Sequence, residues 1–455
     1  MSGTHSPRTT VRHAGTYPGR RSPAVVVLAL GWAGAAAVIA LWWQDTSSVV
    51  GPAGWLIGAG RIAGLLTGYC CALLVGLMAR IPALEQGVGS DRVARWHAMA
   101  GRYTVCLLIA HITLILWGYA AQAHASVLGE TWTVVFTYPD MLKGTIGGLL
   151  LLVVGALSVR AVRRKVRYET WYYLHLLTYL AIFLAFWHQL ALGADFAGGT
   201  VARGLWYALY LGVAAAALWY RVLVPQRLNL RHRLRVASVV REAPGVVSVL
   251  IRGRRLPELA VRPGQFLRWR FLTPGLWWTA SPYSLSAAPR RDLLRITVKA
   301  VGEHSTALAG LRPGTRIWAE GPYGALTAER RTRQKVLLLA GGVGVTPLRA
   351  LFESLPAGPG DLTLVYRART EADLALRGEL ERIAAARGAR LHFAVNAPDG
   401  RRPVLTADTL RATLPDIARH DVFLCGPPGM ARASYEALRA AGVPARHIHH
   451  ESFEL

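Results

Sequence analysis

HAMAGRYTVCLLIAH, residues 97–111, is an apolar, helix-like segment that begins and ends with histidine. A second segment of the same kind, HLLTYLAIFLAFWH, occupies residues 175–188. At a rise of about 1.5 Å per residue, His97 and His111 stand about 21 Å apart along a helix axis and return to nearly the same face. His175 and His188 stand about 20 Å apart with a rotational offset of about 140°. That second pair needs twist, a kink or approach from different sides. What imidazoles can do there depends on the solvent around these segments.

That solvent is lipid. The chain has 455 residues, 53% of them hydrophobic, enough for two or three domains. Residues 24–43, 62–79, 103–129, 144–159, 170–194 and 204–220 carry no charge. A helix needs about 20 residues to cross the hydrocarbon core, so six spans fit, the fourth and sixth being short. The net charge of +26 would suit a nucleic-acid binder, but the basic residues largely flank the spans and no aromatic stacking platform is evident. Arg20 and Arg21, Arg92 and Arg95, Arg163 to Lys165, and Arg227 and Arg231 fall on one side. The positive-inside rule then sets both termini in the cytoplasm, in a multi-pass cell membrane protein. The first 23 residues read as a flexible basic tail. Span one is long, and LWWQDTSS after it lacks a small-residue cleavage pattern, so it reads as an anchor and not a signal peptide. The four cysteines have no metal-cluster spacing, which argues against zinc or iron–sulfur centres.

Imidazole in hydrocarbon is costly without a partner and marks function. Spans three and five run in the same direction, so their histidines can face each other at two depths. Two histidines from two helices can clamp one haem iron axially. Unrelated polar contacts between helices, a proton relay or another metal site are the alternatives; matched spacing and depth favour haem. His97 with His175 would hold an inner haem, and His111 with His188 an outer one. Arg102, five residues beyond His97, suits a haem propionate or snorkels to the membrane surface.

From about residue 228 charges become frequent and short β-rich runs alternate with Pro and Gly turns. SPYSLS, 281–286, reads as a strand that offers an aromatic ring and hydroxyls to a flavin. In VKAVGEHSTAL, 298–308, Gly302 frees the backbone near a pyrophosphate, with Ser305 and Thr306 donating. In LLLAGGVGVTP, 337–347, a strand runs into Gly341, Gly342 and Gly344, and Thr346 and Pro347 open a helix that favours phosphate charge. Arg367 and Arg369, ending LVYRART, could pair with a ribose 2′-phosphate, favouring NADPH, or be plain surface charge. VFLCGPPGM ends a third strand in Cys425, Gly426 and Pro427 at the expected nucleotide crevice. Phe453, two residues from the end, could cover a flavin face and yield to nicotinamide.

Together these motifs resemble the ferric reductase and NADPH oxidase superfamily over about residues 24–455. The 14 and 13 histidine spacings are similar to its haem ladder. Pro282, Tyr283, Ser284, Leu285 and Ser286 match its FAD motif, except that Ser281 stands where Arg or His is usual. Gly302, Ser305 and Thr306 match its pyrophosphate segment, Gly341 to Pro347 its nicotinamide-nucleotide motif, Cys425 to Pro427 the segment near the nicotinamide, and Glu451 and Phe453 its tail. Ile115 stands where the eukaryotic oxidases tend to carry another histidine, and Arg203 resembles a basic residue of their oxygen site.

The resemblance implies a multidomain chain: a six-helix transmembrane haem-binding bundle (24–225), an antiparallel β-barrel FAD domain (228–328) and an α/β Rossmann-like NAD(P)H domain (334–455). It implies electrons passing from cytoplasmic NADPH, with NADH possible, through FAD and two haem b groups to an outer small-molecule acceptor, either oxygen or a ferric chelate. Cys425, Phe453 and Tyr283 would be the catalytic residues. A reductase for a quinone or protein partner, or a non-enzymatic haem scaffold, are the alternatives. No obligate protein partner is evident.

Overall fold

The computed structural model describes residues 23–44, 46, 49–159, 162, 165–166, 168–193, 196, 200–396 and 405–451. The basic tail and Phe453 lie outside the described residues.

The first half is helical: α1 (Pro23–Trp43), α2 (Gly51–Leu77), α3 (Pro82–Gly87), α4 (Ser90–Ala123), α5 (Val127–Thr137), α6 (Met141–Ser158), α7 (Tyr168–Leu192) and α8 (Thr200–Leu218). A π-helical turn, Trp219–Leu223, carries α8 into α9 (Val224–His232). Six of these helices are long and apolar enough to cross a membrane, the sixth running from Thr200 to His232. The expected boundary at residue 225 therefore falls inside one unbroken helix. The span expected to be short is the longest, because polar Arg221 to Arg231 continue the helix beyond the apolar run.

α2 packs along α4 and α6 along α7, the two most extensive helix contacts of the bundle. Small residues permit the close approach. A Cβ on Gly118 of α4 would lie 2.9 Å from the Ile57 amide of α2, and one on Gly147 of α6 2.6 Å from the Ala181 carbonyl of α7. α5 is a short helix in the segment between spans three and four, capped by Ser126 accepting from the Gly129 amide.

The second region has β1 (Arg235–Ala243), β2 (Val246–Arg252), β3 (Phe266–Phe271), β4 (Ser281–Ser284), β5 (Leu293–Lys299), the short α10 (Glu303–Ala307) and β6 (Ile317–Tyr323). The expected barrel resolves into two three-stranded antiparallel sheets, β1-β2-β5 and β4-β3-β6. Single bridges, Arg235 to Arg316 and Leu285 to Ile296, link them. Alternate residues point inward, so Leu267, Trp269 and Phe271 of β3 meet Val249 and Ile296 from the other sheet in one core. α9 is fastened to β6 by buried Asn229, whose Oδ1 accepts from the Ala319 amide (2.8 Å) and whose Nδ2 donates to its carbonyl (3.1 Å). That joint ties the bundle's last helix to the module.

The third region is α/β: β7 (Val336–Gly341), α11 (Val345–Ser354), β8 (Leu362–Ala368), α12 (Arg377–Arg387), β9 (Arg390–Val395), α13 (Ala407–Thr413), β10 (Asp421–Cys425), α14 (Pro428–Ala440) and β11 (Ile448–Glu451). All five strands are parallel in the order β11-β10-β7-β8-β9. Every residue of β7 and β10 is buried, as expected of strands covered on both faces. The strand order reverses between β7 and β10, and ligands of such sheets bind beyond the strand C-termini at that point.

Candidate functional site

The four histidines form two pairs. The His97 and His175 ring centroids lie 6.0 Å apart with a 73° interplanar angle, and those of His111 and His188 lie 6.5 Å apart at 30°. A ring nitrogen binds a first-row metal at about 2.0–2.1 Å. With the ring centroid about 1 Å further out, one iron held axially by two imidazoles separates their centroids by about 6 Å. Both pairs fit that geometry. Among the described residues no cluster of three or more His, Cys, Asp and Glu assembles a metal site; these four histidines meet in two pairs.

The ring orientations have identifiable causes. His97 Nδ1 donates to the Leu74 carbonyl (3.2 Å) and His111 Nδ1 to the Gly60 carbonyl (2.9 Å), both on α2. This leaves each Nε2 free for a metal. Trp171 stacks on His175 at 5.0 Å between centroids. Glycines make room behind the far pair: a Cβ on Gly64 of α2 would lie 2.6 Å from His111 Nδ1, and one on Gly144 of α6 2.7 Å from His188 Nδ1. Arg102 is exposed on α4. A different arginine stands near the His175 layer: Arg221, in the π turn, donates to the Tyr179 hydroxyl (2.8 Å), one helical turn beyond His175.

A cavity of about 1320 Å³ lies in the β region, at the junction with the α/β region. Ser281, Pro282, Tyr283 and Ser284 line it on one side, Gly302 to Ser305 on another, and Val343 and Thr346 close it. It is large enough for a dinucleotide-sized ligand. Ser284 Oγ is buried there with no hydrogen-bond partner, an orphan that a bound flavin would satisfy. Burial pushes the Tyr283 phenol up, so it stays a donor at neutral pH. The Ser281 hydroxyl lies 3.3 Å from His304 Nδ1.

Two of the expected motif residues face elsewhere. Leu285 is in the hydrophobic core, and Ser286 is buried, accepting from Thr297 Oγ1 (2.7 Å) and Arg295 Nε (3.1 Å). Ser305 turns back on its own loop: its Oγ accepts from the Val301 and Gly302 amides and donates to the Gly302 carbonyl. Thr306 also donates to that carbonyl (2.9 Å). These hydroxyls shape the loop whose residues Val301 to Ser305 line the cavity.

At the switch point, Gly344 packs against the Cys425 carbonyl and Gly341 against Met430 and Pro427, with no room for a Cβ at either. Gly342 takes a φ of +53°, which favours glycine. Thr346 Oγ1 donates to the Val343 carbonyl (3.0 Å), and Pro347 sits in the first turn of α11, where no amide donor is needed. Gly426 begins α14's approach beside Gly341. Cys425 is fully buried with its side chain in the core. Arg367 pairs in register with Gly341 at the C-terminal edge of the sheet. Arg369 is exposed, 3.9 Å from Asp373. Glu451 ends β11 next to Gly324, where a Cβ would lie 2.8 Å from its carboxylate.

The α/β and β regions are joined by ion pairs. Arg295 of β5 holds Glu379 of α12 with two bonds, 2.6 and 2.9 Å, and Arg349 of α11 reaches the same carboxylate at 2.9 Å. Burial alone would raise the Glu379 carboxyl; the two arginines outweigh it and hold it low.

Residues 63–186 match the family described as ferric reductase like transmembrane component, and residues 338–436 match the oxidoreductase NAD-binding domain. Among curated proteins, the ferredoxin reductase component of a 3-ketosteroid-9-alpha-monooxygenase from Mycolicibacterium smegmatis is 35% identical over 231 residues, 49% of this chain and 65% of that protein. A glycine betaine monooxygenase reductase subunit from Chromohalobacter salexigens is 31% identical over 50% of this chain and 65% of its own length. A flavohemoprotein from Xylella fastidiosa is 30% identical over 43% of this chain and 52% of its own. The chain thus spans between half and two thirds of these relatives. An Amycolatopsis cytochrome P450 reductase structure aligns over 49% of this chain and 69% of its own with a TM-score of 0.42 and 26% identity.

Proposed function

We propose, for a chain whose two matched domains are those of the ferric reductase and NADPH oxidase superfamily, that this membrane-linked oxidoreductase is a transmembrane electron carrier. In this reading NADPH on the cytoplasmic side is the donor, FAD and two b-type haems are the resident groups, and a small acceptor, oxygen or a chelated ferric ion, is reduced at the opposite face. The observation that carries it is the pair of histidine pairs, 6.0 and 6.5 Å between centroids, stacked along α4 and α7.

The resident groups supply hydride acceptance, conversion of two-electron to one-electron transfer, and conduction across the bilayer. The chain's own residues do the rest. Gly341 to Pro347 and Cys425 to Pro427 shape the nucleotide crevice at the strand switch, where tight backbone packing presents α11's N-terminus to phosphate. Arg367 at the sheet edge faces the ribose end. Tyr283 and Ser284 would hold the flavin, the orphan Ser284 hydroxyl being available to bond it. His97, His111, His175 and His188 hold iron, and the α2 carbonyls of Leu74 and Gly60 fix two of those rings. The Arg295–Glu379–Arg349 contacts hold the β and α/β regions in register across the cavity.

The test is anaerobic. Purified chain with a haem assay of two per protomer should show reduced b-type bands when NADPH is added. Oxygen or ferric chelate admitted afterwards identifies the acceptor by which one reoxidises the haems. A chain with no haem, or haems that dithionite reduces and NADPH does not, would overturn the reading.

A further inference from the structure

A second cavity, about 490 Å³, lies where the helical bundle meets the β region. One wall is apolar and comes from the bundle: Leu176 of α7, Ala217 and Leu218 of α8, and Val222 of the π turn. The other wall is cationic: Arg221 from the same π turn, and Arg268 and Arg270 from β3. Glu320, opposite Arg268 on β6, is the one carboxylate lining it.

Among the described residues none of the three guanidinium groups pairs with a carboxylate; their hydrogen bonds go to neutral oxygens. Arg221 donates to the Tyr179 hydroxyl (2.8 Å), Arg268 to the Ala280 carbonyl (3.1 Å) and Arg270 to the Trp277 carbonyl (3.4 Å). Thr279 Oγ1, also on the lining, is buried without a partner. Three guanidinium groups against the single carboxylate of Glu320 leave this space net positive, and withdrawing uncompensated cations from bulk water is unfavourable, so the space calls for a ligand charge. π-helical turns such as the one presenting Arg221 are frequent at functional sites.

We propose that this cavity binds the anionic end of an amphiphile: a carboxylate or phosphate on the three arginines, with an apolar body along α7 and α8. Two sources share that chemistry. One is an anionic phospholipid of the leaflet adjoining the reductase module. The other is the carboxylate edge of a haem held at His175, which Tyr172 and Tyr179 of the same lining flank on α7. The second source rests on the haem reading; the first does not. Arginine is suited to either, because its fork matches carboxylate and phosphate oxygens.

The experiment uses the full chain in detergent, as wild type, as Arg268→Gln with Arg270→Gln, and as Arg221→Gln. Native mass spectrometry with added phosphatidylglycerol or phosphatidylcholine reads the lipid arm. A lipid source predicts preferential phosphatidylglycerol binding that weakens about fivefold for each arginine removed, the factor equivalent to about 1 kcal/mol per basic residue at an anionic lipid surface. A redox titration reads the haem arm. A haem source predicts that one of two midpoint potentials falls in the variants while lipid selectivity stays as in wild type. Haem content is counted in every sample, so loss of haem in the wild type sinks the haem reading and leaves the lipid arm intact. If the double variant does not fold, Arg221→Gln reads both arms alone. Folded variants with unchanged lipid selectivity and unchanged potentials overturn the proposal.

Discussion

Ser281 Oγ lies 3.3 Å from His304 Nδ1, and both residues line the large cavity of the β region. Ser281 occupies the position where the resembled family usually carries Arg or His. The imidazole beside it comes from the α10 segment, 23 residues along the chain.

If His304 contacts the flavin's phosphate, removing it should weaken FAD binding. A hydrogen bond to a charged group is worth about 1.5–3 kcal/mol, which is roughly tenfold or more in affinity. We expect His304→Ala to raise the FAD dissociation constant by that factor in a flavin-fluorescence titration of the deflavinated chain. Adding Ser281→Arg to His304→Ala should recover most of it. Equal affinity for wild type and His304→Ala rejects the role.

The far histidine pair is predicted to be sensitive to methyl groups behind it. A Cβ on Gly64 or Gly144 would stand 2.6 or 2.7 Å from Nδ1 of His111 or His188, closer than real contacts allow, and the ring must turn. Gly64→Ala and Gly144→Ala should each reduce the haem count from two towards one, with the near pair, His97 and His175, keeping its haem. His111→Ala and His188→Ala should do the same outright. Two haems with unaltered spectra in all four variants would remove the ligand assignment.

Those glycines show which parts of the molecule were readable in advance. Span positions, the histidine spacing, the glycine-rich turn at 341–347 and the CGP strand end follow from local pattern, because each is fixed by chain period and backbone freedom. The parts that were not readable depend on neighbours distant in sequence. Gly64 matters only because α2 lies against α4 at His111. In the sequence Arg221 is one more membrane-flanking charge; the π turn sets it beside Tyr179. Leu285 and Ser286 read as flavin contacts by motif, yet both lie past the end of β4, where Leu285 enters the hydrophobic core and Ser286 is held by Thr297 and Arg295. The two ring pairs differ in mutual angle, 73° and 30°.

Nucleotide choice should follow Arg367. Its register partner is Gly341, at the edge of the crevice, whereas Arg369 is largely solvent-exposed beside Asp373. A guanidinium on a 2′-phosphate is a charge-assisted contact that NADH cannot make. Arg367→Ala is expected to weaken NADPH about tenfold in stopped-flow reduction and to leave NADH nearly unchanged. Arg369→Ala should have the smaller effect. Equal losses with both nucleotides would assign Arg367 to surface charge.

At the opposite end of the same sheet, Asp421 is predicted to make the α/β region acid-sensitive. It is fully buried at the start of β10. Burial by itself would raise its carboxyl, but the neighbouring His449 imidazole, 3.6 Å away, and hydrogen bonds from the Thr332 and Arg333 amides and from His447 outweigh that and hold it far below the usual carboxylate range. The amide bonds are 2.5 and 2.7 Å, and His447 Nδ1 lies at 2.9 Å. A carboxyl whose folded pKa is depressed stabilises the fold above its unfolded value, about 3.9, and that stabilisation is lost as pH falls through the folded pKa. Asp421→Asn should therefore lower the melting temperature of the reductase module at pH 7 and flatten its dependence on pH below about 4. The anchor joins β10 to the segment preceding β7 and to β11, the strand ending at Glu451, so the variant should also speed hydrogen exchange in all three. A variant that melts like wild type at pH 7 and keeps the same acid limb would show that these contacts contribute nothing net to folding.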